Sequence, residues 1–460
     1  MTYHSKCSMS RFKGLVNRLQ NLLPSPFTIA IILTLVAMTM AMLNLSQSEA
    51  FSEFSPNLIA SWSNGLWQSN QLVFAFQMML MLVLGHVLAL SKPMNSFIRF
   101  VAASFCTTTA KAAGLVTLLT MIMALCNWGL GLVFGAVFAR KVAEFSEKEG
   151  NPINFPLVAA AGYSGMMVWH GGLSGSALVK VAEEGHLSTM IGHDMAAIPL
   201  SQTVFSGMNI FATLAVLVLA PLMMFYLGKR NPGSQIKLPK TTVANLSQHP
   251  IGAEKIDHFR MLGYAIGILV LSVQLVQAFN HDNTLGLAFI TPNWINASLL
   301  GLALTFHGQI ASFITAVKSA ISGAAGILIQ FPLYFGIAAI MNSGGLIELF
   351  SGMLTQASAS QFSILTFFSA GIVNVFVPSG GGQWVVQGPI IIEGCKQLGI
   401  PFSKGILALA YGDQLTNMLQ PFWALPLLGI TGLKVRDILP YTLALMILGT
   451  LIFLSAIILF

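Results

Sequence analysis

Long apolar runs recur along the chain from Phe27 to Phe460, separated by short polar stretches. A helix needs about 20 mostly apolar residues to cross a bilayer. Runs near residues 27 to 44, 72 to 91, 155 to 182, 201 to 228, 261 to 279, 293 to 306, 324 to 342, 405 to 430 and 438 to 460 meet or approach that length. They predict an all-α polytopic membrane protein with about nine full spans. Two further stretches, 112 to 145 and 361 to 397, are apolar but broken in the middle by Gly, Pro, Asn and Ser. At about 1.5 Å per residue, each arm is too short or too interrupted for a comfortable crossing. Both therefore read as re-entrant helical hairpins that dip in and return to the same side. Irregular backbone at membrane depth is tolerated only where protein or a watery cavity surrounds it, which makes both tips candidate site elements.

Composition strengthens this picture. The chain is 55% apolar and 8% charged, whereas soluble domains carry about a quarter charged residues. No small-residue cleavage site follows Phe27 and the apolar pattern continues, so the first span is expected to stay in place. The net charge of +7 reads as cations held on the cytoplasmic side rather than as a nucleic-acid surface. With a cytoplasmic N-terminus, nineteen of the 22 cations fall on that side, leaving Lys180, Lys396 and Lys404 on the other. This is the positive-inside pattern of an inner-membrane protein. Cys7, Cys106, Cys126 and Cys395 have no paired spacing and read as small core residues, not disulfides or zinc ligands.

The same topology opens the first hairpin to the cytoplasm and the second to the outside. It predicts two inverted repeats, each with a re-entrant hairpin and an interrupted transmembrane helix. The first is 1–228, with hairpin 112–145 and broken helix 155–182. The second is 280–460, with hairpin 361–397 and broken helix 405–430. Residues 229–279 form a basic cytoplasmic loop and a single linker span, and an odd linker is what inversion requires. Asn127 precedes Tyr163 by 36 residues, and Asn374 precedes Tyr411 by 37. Inverted repeats with interrupted helices are the pattern of secondary transporters, whose sites lie where the repeats meet.

An unwound tip leaves backbone N–H groups unpaired, and the following half-helix adds a positive dipole end, a fitting place for an anion. In VPSGGGQW the bend at Pro378, the glycines Gly380, Gly381 and Gly382, and the polar Ser379 and Gln383 make a candidate substrate site. HGGLSGS repeats the logic with Gly171, Gly172, Ser174 and Ser176. Asn127, Asn374, Asn417 and Gln420 complete the expected substrate set. Intramembrane ionisable groups are costly and default to function. Asp413 could bind a coupling sodium or carry a proton, with Thr416 beside it, and His170 is the other proton candidate. Arg140 fits either a carboxylate clamp or an ordinary topology signal. Glycine packing, helix kinks and a hydrogen-bonded core histidine are the structural readings of the same residues.

The blocks NWGLGLVFGAVFAR, WHGGLSGS, VPSGGGQWVVQGP and YGDQLTNMLQPFWALP resemble the AtoE-type short-chain fatty acid transporters, over nearly the whole chain. The resemblance implies uptake of acetoacetate, butyrate or similar acids, and kinship with a larger ion transporter superfamily. In its divalent anion symporters, substrate and sodium bind at hairpin tips and adjoining unwound helices, here the stretches around Asn127, Gly171, Pro378 and Asn417. Carriers of this architecture resemble homodimers with a static scaffold and a moving domain. The expected protein is thus an ion-coupled symporter of small monocarboxylates, driven by H+ or Na+, with no cofactor, no resident metal and no nucleic-acid partner. A carrier of another anion, or a cation/proton antiporter, is the alternative on the same architecture. No HExxH pair or GxSxG elbow points to an enzyme.

Overall fold

A computed structural model describes residues 25–46, 51–191, 194–233, 252–280, 289, 291–346, 349 and 357–460. These residues form helices joined by short turns, with no strand among them. Eight helical segments are long and apolar enough to cross a membrane. The expected broken helices are absent from those eight because neither arm of either one reaches the needed length, and Pro292–His307 has only 16 residues. Large apolar side chains such as Leu35, Leu214, Leu269 and Leu451 point outward along these segments, as a lipid-facing surface requires. Among the helices of ten or more residues, three were not among the expected spans and hairpins: Phe51–Leu66, Lys92–Phe105 and Ile310–Ala320. Their apolar residues recur at helical spacing instead of running on, the pattern of a half-buried or interfacial helix.

Packing groups the helices differently from their order in sequence. In one body, Pro26–Ser46 and Phe51–Leu66 pack on Ala325–Ser343, while Pro292–His307 packs on Ser69–Leu90 and on Arg260–Phe279. The second body holds both interrupted pairs and both broken helices. There Thr109–Cys126 packs on Gly207–Arg230, and Ala359–Phe376 and Gly380–Leu398 pack on Phe402–Thr416. Trp128–Lys148 lies on Phe155–Tyr163 so closely that a Cβ at Gly135 would stand 2.0 Å from the Gly162 carbonyl oxygen. Small residues let backbones approach in this way where lipid supplies no hydrophobic drive between helices.

Each of the stretches expected to be a hairpin is a helix, a short break and a second helix. The first is Thr109–Cys126 and Trp128–Lys148, joined at Asn127, whose φ of −155° and ψ of 129° end the first arm. The second is Ala359–Phe376 and Gly380–Leu398. Each open end has its own contacts. At one end the Thr109 hydroxyl accepts from Asn154 N–H at 3.0 Å, and Asn154 Nδ2 donates to the Asn231 carbonyl and to Tyr441. At the other end Phe362 lies against Gly394, and Asp194, Glu393, Lys396 and Phe402 line one cavity. Arg140 sits near the first of these ends, far along the second arm. It pairs with Glu144 at 2.9 Å and donates to the Ile430 carbonyl, closing the end of Pro421–Thr431. It therefore acts as a helix-end clamp.

Candidate functional site

The two broken helices cross at their breaks. The first runs as Phe155–Tyr163, two short 3-10 turns through Gly171, and Ser176–Lys180; the second as Phe402–Thr416 and Pro421–Thr431. Backbone groups freed by unwinding are met by side chains from the other helix. Gln414 Oε1 accepts from the N–H groups of His170 and Gly171 at 3.0 and 3.2 Å, and Tyr163 donates to the Asn417 carbonyl at 2.8 Å. Asn209 Nδ2 donates to the Gly171 carbonyl, and Tyr411 in turn donates to Asn209 Oδ1. A buried backbone polar group without a partner is costly, so these side chains are what keeps the breaks in place.

His170 and Asp413, expected separately as ion-coupling groups, lie together at this crossing. His170 Nδ1 is hydrogen-bonded to Asp413 Oδ2, and the residues are 0% and 1% exposed. Trp169 stacks on the imidazole with ring centroids 4.5 Å apart. A chain of aromatic rings runs outward from there through Trp128 and Trp423 to Phe74. Asn374, also fully buried, gives its amide hydrogens to the Asp413 carbonyl, Thr416 Oγ1 and Asn417 Oδ1 at 2.7, 2.9 and 2.8 Å. Gln420 Nε2 donates to the Asn374 carbonyl. With their amide groups so oriented, Asn374 Oδ1 and Gln420 Oε1 face buried space without a protein donor, as does Asp413 Oδ1.

The tip of the second hairpin rests on this crossing. A Cβ at Gly380 would stand 2.8 Å from Trp169, 2.9 Å from the His170 ring and 3.2 Å from Asp413 Oδ2, so only glycine fits. Gly381 is different, with Ser176 Oγ 3.8 Å from such a Cβ. Ser379 caps Gly380–Leu398 by accepting from Gly382 N–H at 3.2 Å. The N–H groups of Gly380 and Gly381 find no acceptor among the described residues. Beside them Val377, Pro378, Ser379 and Gly382 form one wall of a cavity of about 870 Å³ at the junction of the two bodies. The other body contributes Asn64, Gln68, Phe74, Tyr334 and Asn342, and no charged side chain lines it among the described residues. That volume is within the about 300–1,000 Å³ usual for small-molecule sites.

Other expected site residues have structural partners. Asn127 Oδ1 accepts from Gly129 and Leu130 N–H, capping the second arm of the first hairpin. Ser174 Oγ accepts from Trp128 N–H at 2.9 Å, and Leu173 N–H donates to the Leu125 carbonyl. Gly172 is pressed against Leu125 backbone, 2.5 Å from its carbonyl oxygen to an added Cβ. The first tip is thus stitched to the first break. Gln383 is buried behind the second tip, donating to the Ala370 carbonyl and Gln387. The sequence marks Tyr163 only as a landmark of the internal repeat and does not mark Asn209 or the cavity's amides; a neutral polar residue in an apolar run gives little signal until its partner is known.

A polar crossing of two interrupted helices, buried within an apolar exterior, defines a multi-pass membrane protein of the transporter class. The pattern of the short chain fatty acid transporter family matches residues 8–460, and the chain belongs to that family. A protein of Escherichia coli K12 with the provisional name short-chain fatty acid transporter is 35% identical over 450 residues, 95% of this chain and 96% of that one. A relative from Haemophilus influenzae with the same name is 36% identical over 447 residues, 94% of this chain and 95% of its own. These are transporters and not enzymes. Among solved structures, the Alcanivorax borkumensis YdaH transporter, described as having an unusual topology, aligns with a TM-score of 0.43 at 15% identity, covering 94% of this chain and 98% of that one. The Neisseria gonorrhoeae antimetabolite efflux pump MtrF gives 0.41 at 14%, covering 96% of each. Both scores are too low to carry an argument.

Proposed function

We propose that the protein is a secondary active transporter that takes up short-chain fatty acids or related small monocarboxylates, such as butyrate and acetoacetate, by ion-coupled symport. The observation that carries this is the start of Gly380–Leu398 opening on the cavity at the junction of the two bodies. Two unpartnered backbone N–H groups, the Ser379 hydroxyl and the positive end of a 19-residue helix suit one carboxylate. Phe74, Tyr334 and Phe422 supply apolar wall for a short alkyl tail.

In this reading the chain is two inverted repeats in the inner membrane, with its N-terminus cytoplasmic and its hairpins re-entrant from opposite sides. The second body, which holds both tips, moves against the first to expose the cavity alternately. Nineteen cations on one side and three on the other support the orientation.

Modification of a single cysteine tests the site. In a chain with its four native cysteines replaced, Ser379→Cys is expected to react with a small thiol reagent, and saturating butyrate should slow that reaction at least several-fold while butylammonium does not. Equal rates with and without butyrate would place the carboxylate elsewhere. In vesicles sealed right-side-out, an impermeant reagent should reach Glu184→Cys but not Glu147→Cys, and the reverse would invert the topology.

A further inference from the structure

His170 is held through both ring nitrogens. Nδ1 meets Asp413 Oδ2, and Nε2 accepts from Ala177 N–H at 3.0 Å. An amide N–H can only donate, so Nε2 carries no proton and the proton of the neutral ring is on Nδ1, directed at the carboxylate. The pair is therefore a neutral imidazole whose Nδ1–H donates to Asp413 Oδ2, in a site closed to solvent. No second charged side chain reaches it among the described residues. On the helix that carries Asp413, Tyr411 turns to Asn209; on the first arm, Tyr163 turns to Asn417; and the hairpins present Trp128 and Gly380, neither of them titratable.

We propose that His170 Nε2 is the proton-loading atom of this carrier, that the coupling ion is H+, and that loading is tied mechanically to the substrate site through Ala177. This rests on the reading of the protein as a carboxylate carrier. The step adds one proton from solution to the Nε2 lone pair and breaks the hydrogen bond from Ala177 N–H, because two donors would then face each other. No other bond changes, and Nδ1–H stays on Asp413. Ala177 lies in the first turn of the short Ser176–Lys180 helix, and Ser176 lies against Gly381, which stands between the cavity-lining Ser379 and Gly382. Protonation thus frees the segment next to the anion's donors.

The charge balance gives the coupling its direction. In this proposal Asp413 stays ionised, so without the proton an incoming carboxylate meets a negative pair across Gly380, and with it the pair is neutral. Proton and carboxylate therefore strengthen each other's binding by the same factor, as linkage requires. The carrier loaded with both has one net negative charge at the site, and so does the empty, unprotonated carrier. Transport is then electroneutral, one proton per carboxylate, and indifferent to membrane potential.

Nitrogen-15 NMR of the full chain in lipid nanodiscs, labelled at histidine, tests this apart from any transport assay. His170→Gln, whose amide can still accept from Ala177 and donate to Asp413, identifies the resonances among the nine histidines. At alkaline pH the ring should be the Nδ1–H tautomer, and acidification should convert it to the doubly protonated form. Saturating butyrate should move that transition up by about one pH unit, a tenfold linkage. An Nε2–H tautomer, a ring that never gains its second proton, or a transition unmoved by butyrate that protects Ser379→Cys would each overturn the proposal. Should butyrate fail to protect that cysteine, the carboxylate reading fails instead, and the tautomer and its titration still decide the proton site. Uptake driven by sodium and indifferent to a pH gradient would overturn proton coupling while leaving carboxylate transport standing.

Discussion

Gly380→Ala is expected to lower the rate of substrate uptake by about 10- to 100-fold, the effect of roughly 1–3 kcal/mol of overpacking at a site that cannot give way. The added methyl would press on Trp169, the His170 ring and Asp413 together. Trp169 is stacked on His170, and His170 is tied at both nitrogens, so neither can move without breaking a buried hydrogen bond. Gly381→Ala is the paired control. Its methyl would meet only Ser176 Oγ at 3.8 Å, an ordinary contact, and its N–H is kept. Uptake within a few-fold of wild type is expected there. Equal loss in the two variants would mean that the tip is sensitive throughout and that the contact with the His170–Asp413 pair has no special weight.

The second large effect is expected for Asp413→Asn. The asparagine oxygen can still accept from His170 Nδ1–H, so no buried charge is stranded, but the imidazolium loses its counter-charge. A buried cation without a partner is strongly disfavoured, and His170 should then stay neutral. Accumulation against a gradient should fall at least tenfold relative to exchange of internal for external substrate, and substrate affinity should no longer vary with pH. A variant whose ratio of accumulation to exchange matches wild type would remove Asp413 from the coupling step.

Much of this site was legible along the chain, residue by residue, while almost none of it was legible as contacts. The breaks at HGGLSGS, VPSGGGQW and YGDQLTNMLQ follow from glycine, proline and polar residues standing where an uninterrupted helix would be apolar. His170 and Asp413 each stood out as ionisable in such a break. That they face each other depends on two breaks crossing 243 residues apart in sequence, which local pattern cannot encode. Asn127 and Ser174 show the converse. Both have the chemistry of a ligand donor or acceptor, but their oxygens accept backbone N–H groups within the first tip. Arg140 resembled a carboxylate clamp by type and proved to hold the Ile430 carbonyl. The amphipathic helices escaped because apolar residues at every third or fourth position never make the continuous run that marks a span, as in Lys92–Phe105.

The two-body packing also bears on how the carrier would move. Each sequence half contributes to both bodies, so a rigid displacement of the second body carries both tips and both breaks together and leaves the His170–Asp413 crossing intact. The large cavity is walled by both bodies, and its shape is what such a displacement would change.

Uptake of labelled butyrate by proteoliposomes containing the wild-type protein tests the central claim most directly, with an inward proton gradient, an inward sodium gradient or no gradient imposed in separate samples. Accumulation above equilibrium under the proton gradient alone, abolished by a protonophore and competed by acetoacetate but not by butylammonium, is the predicted result. Failure of butyrate and acetoacetate to enter or exchange under every gradient, in vesicles where the protein is shown to be folded, would contradict it.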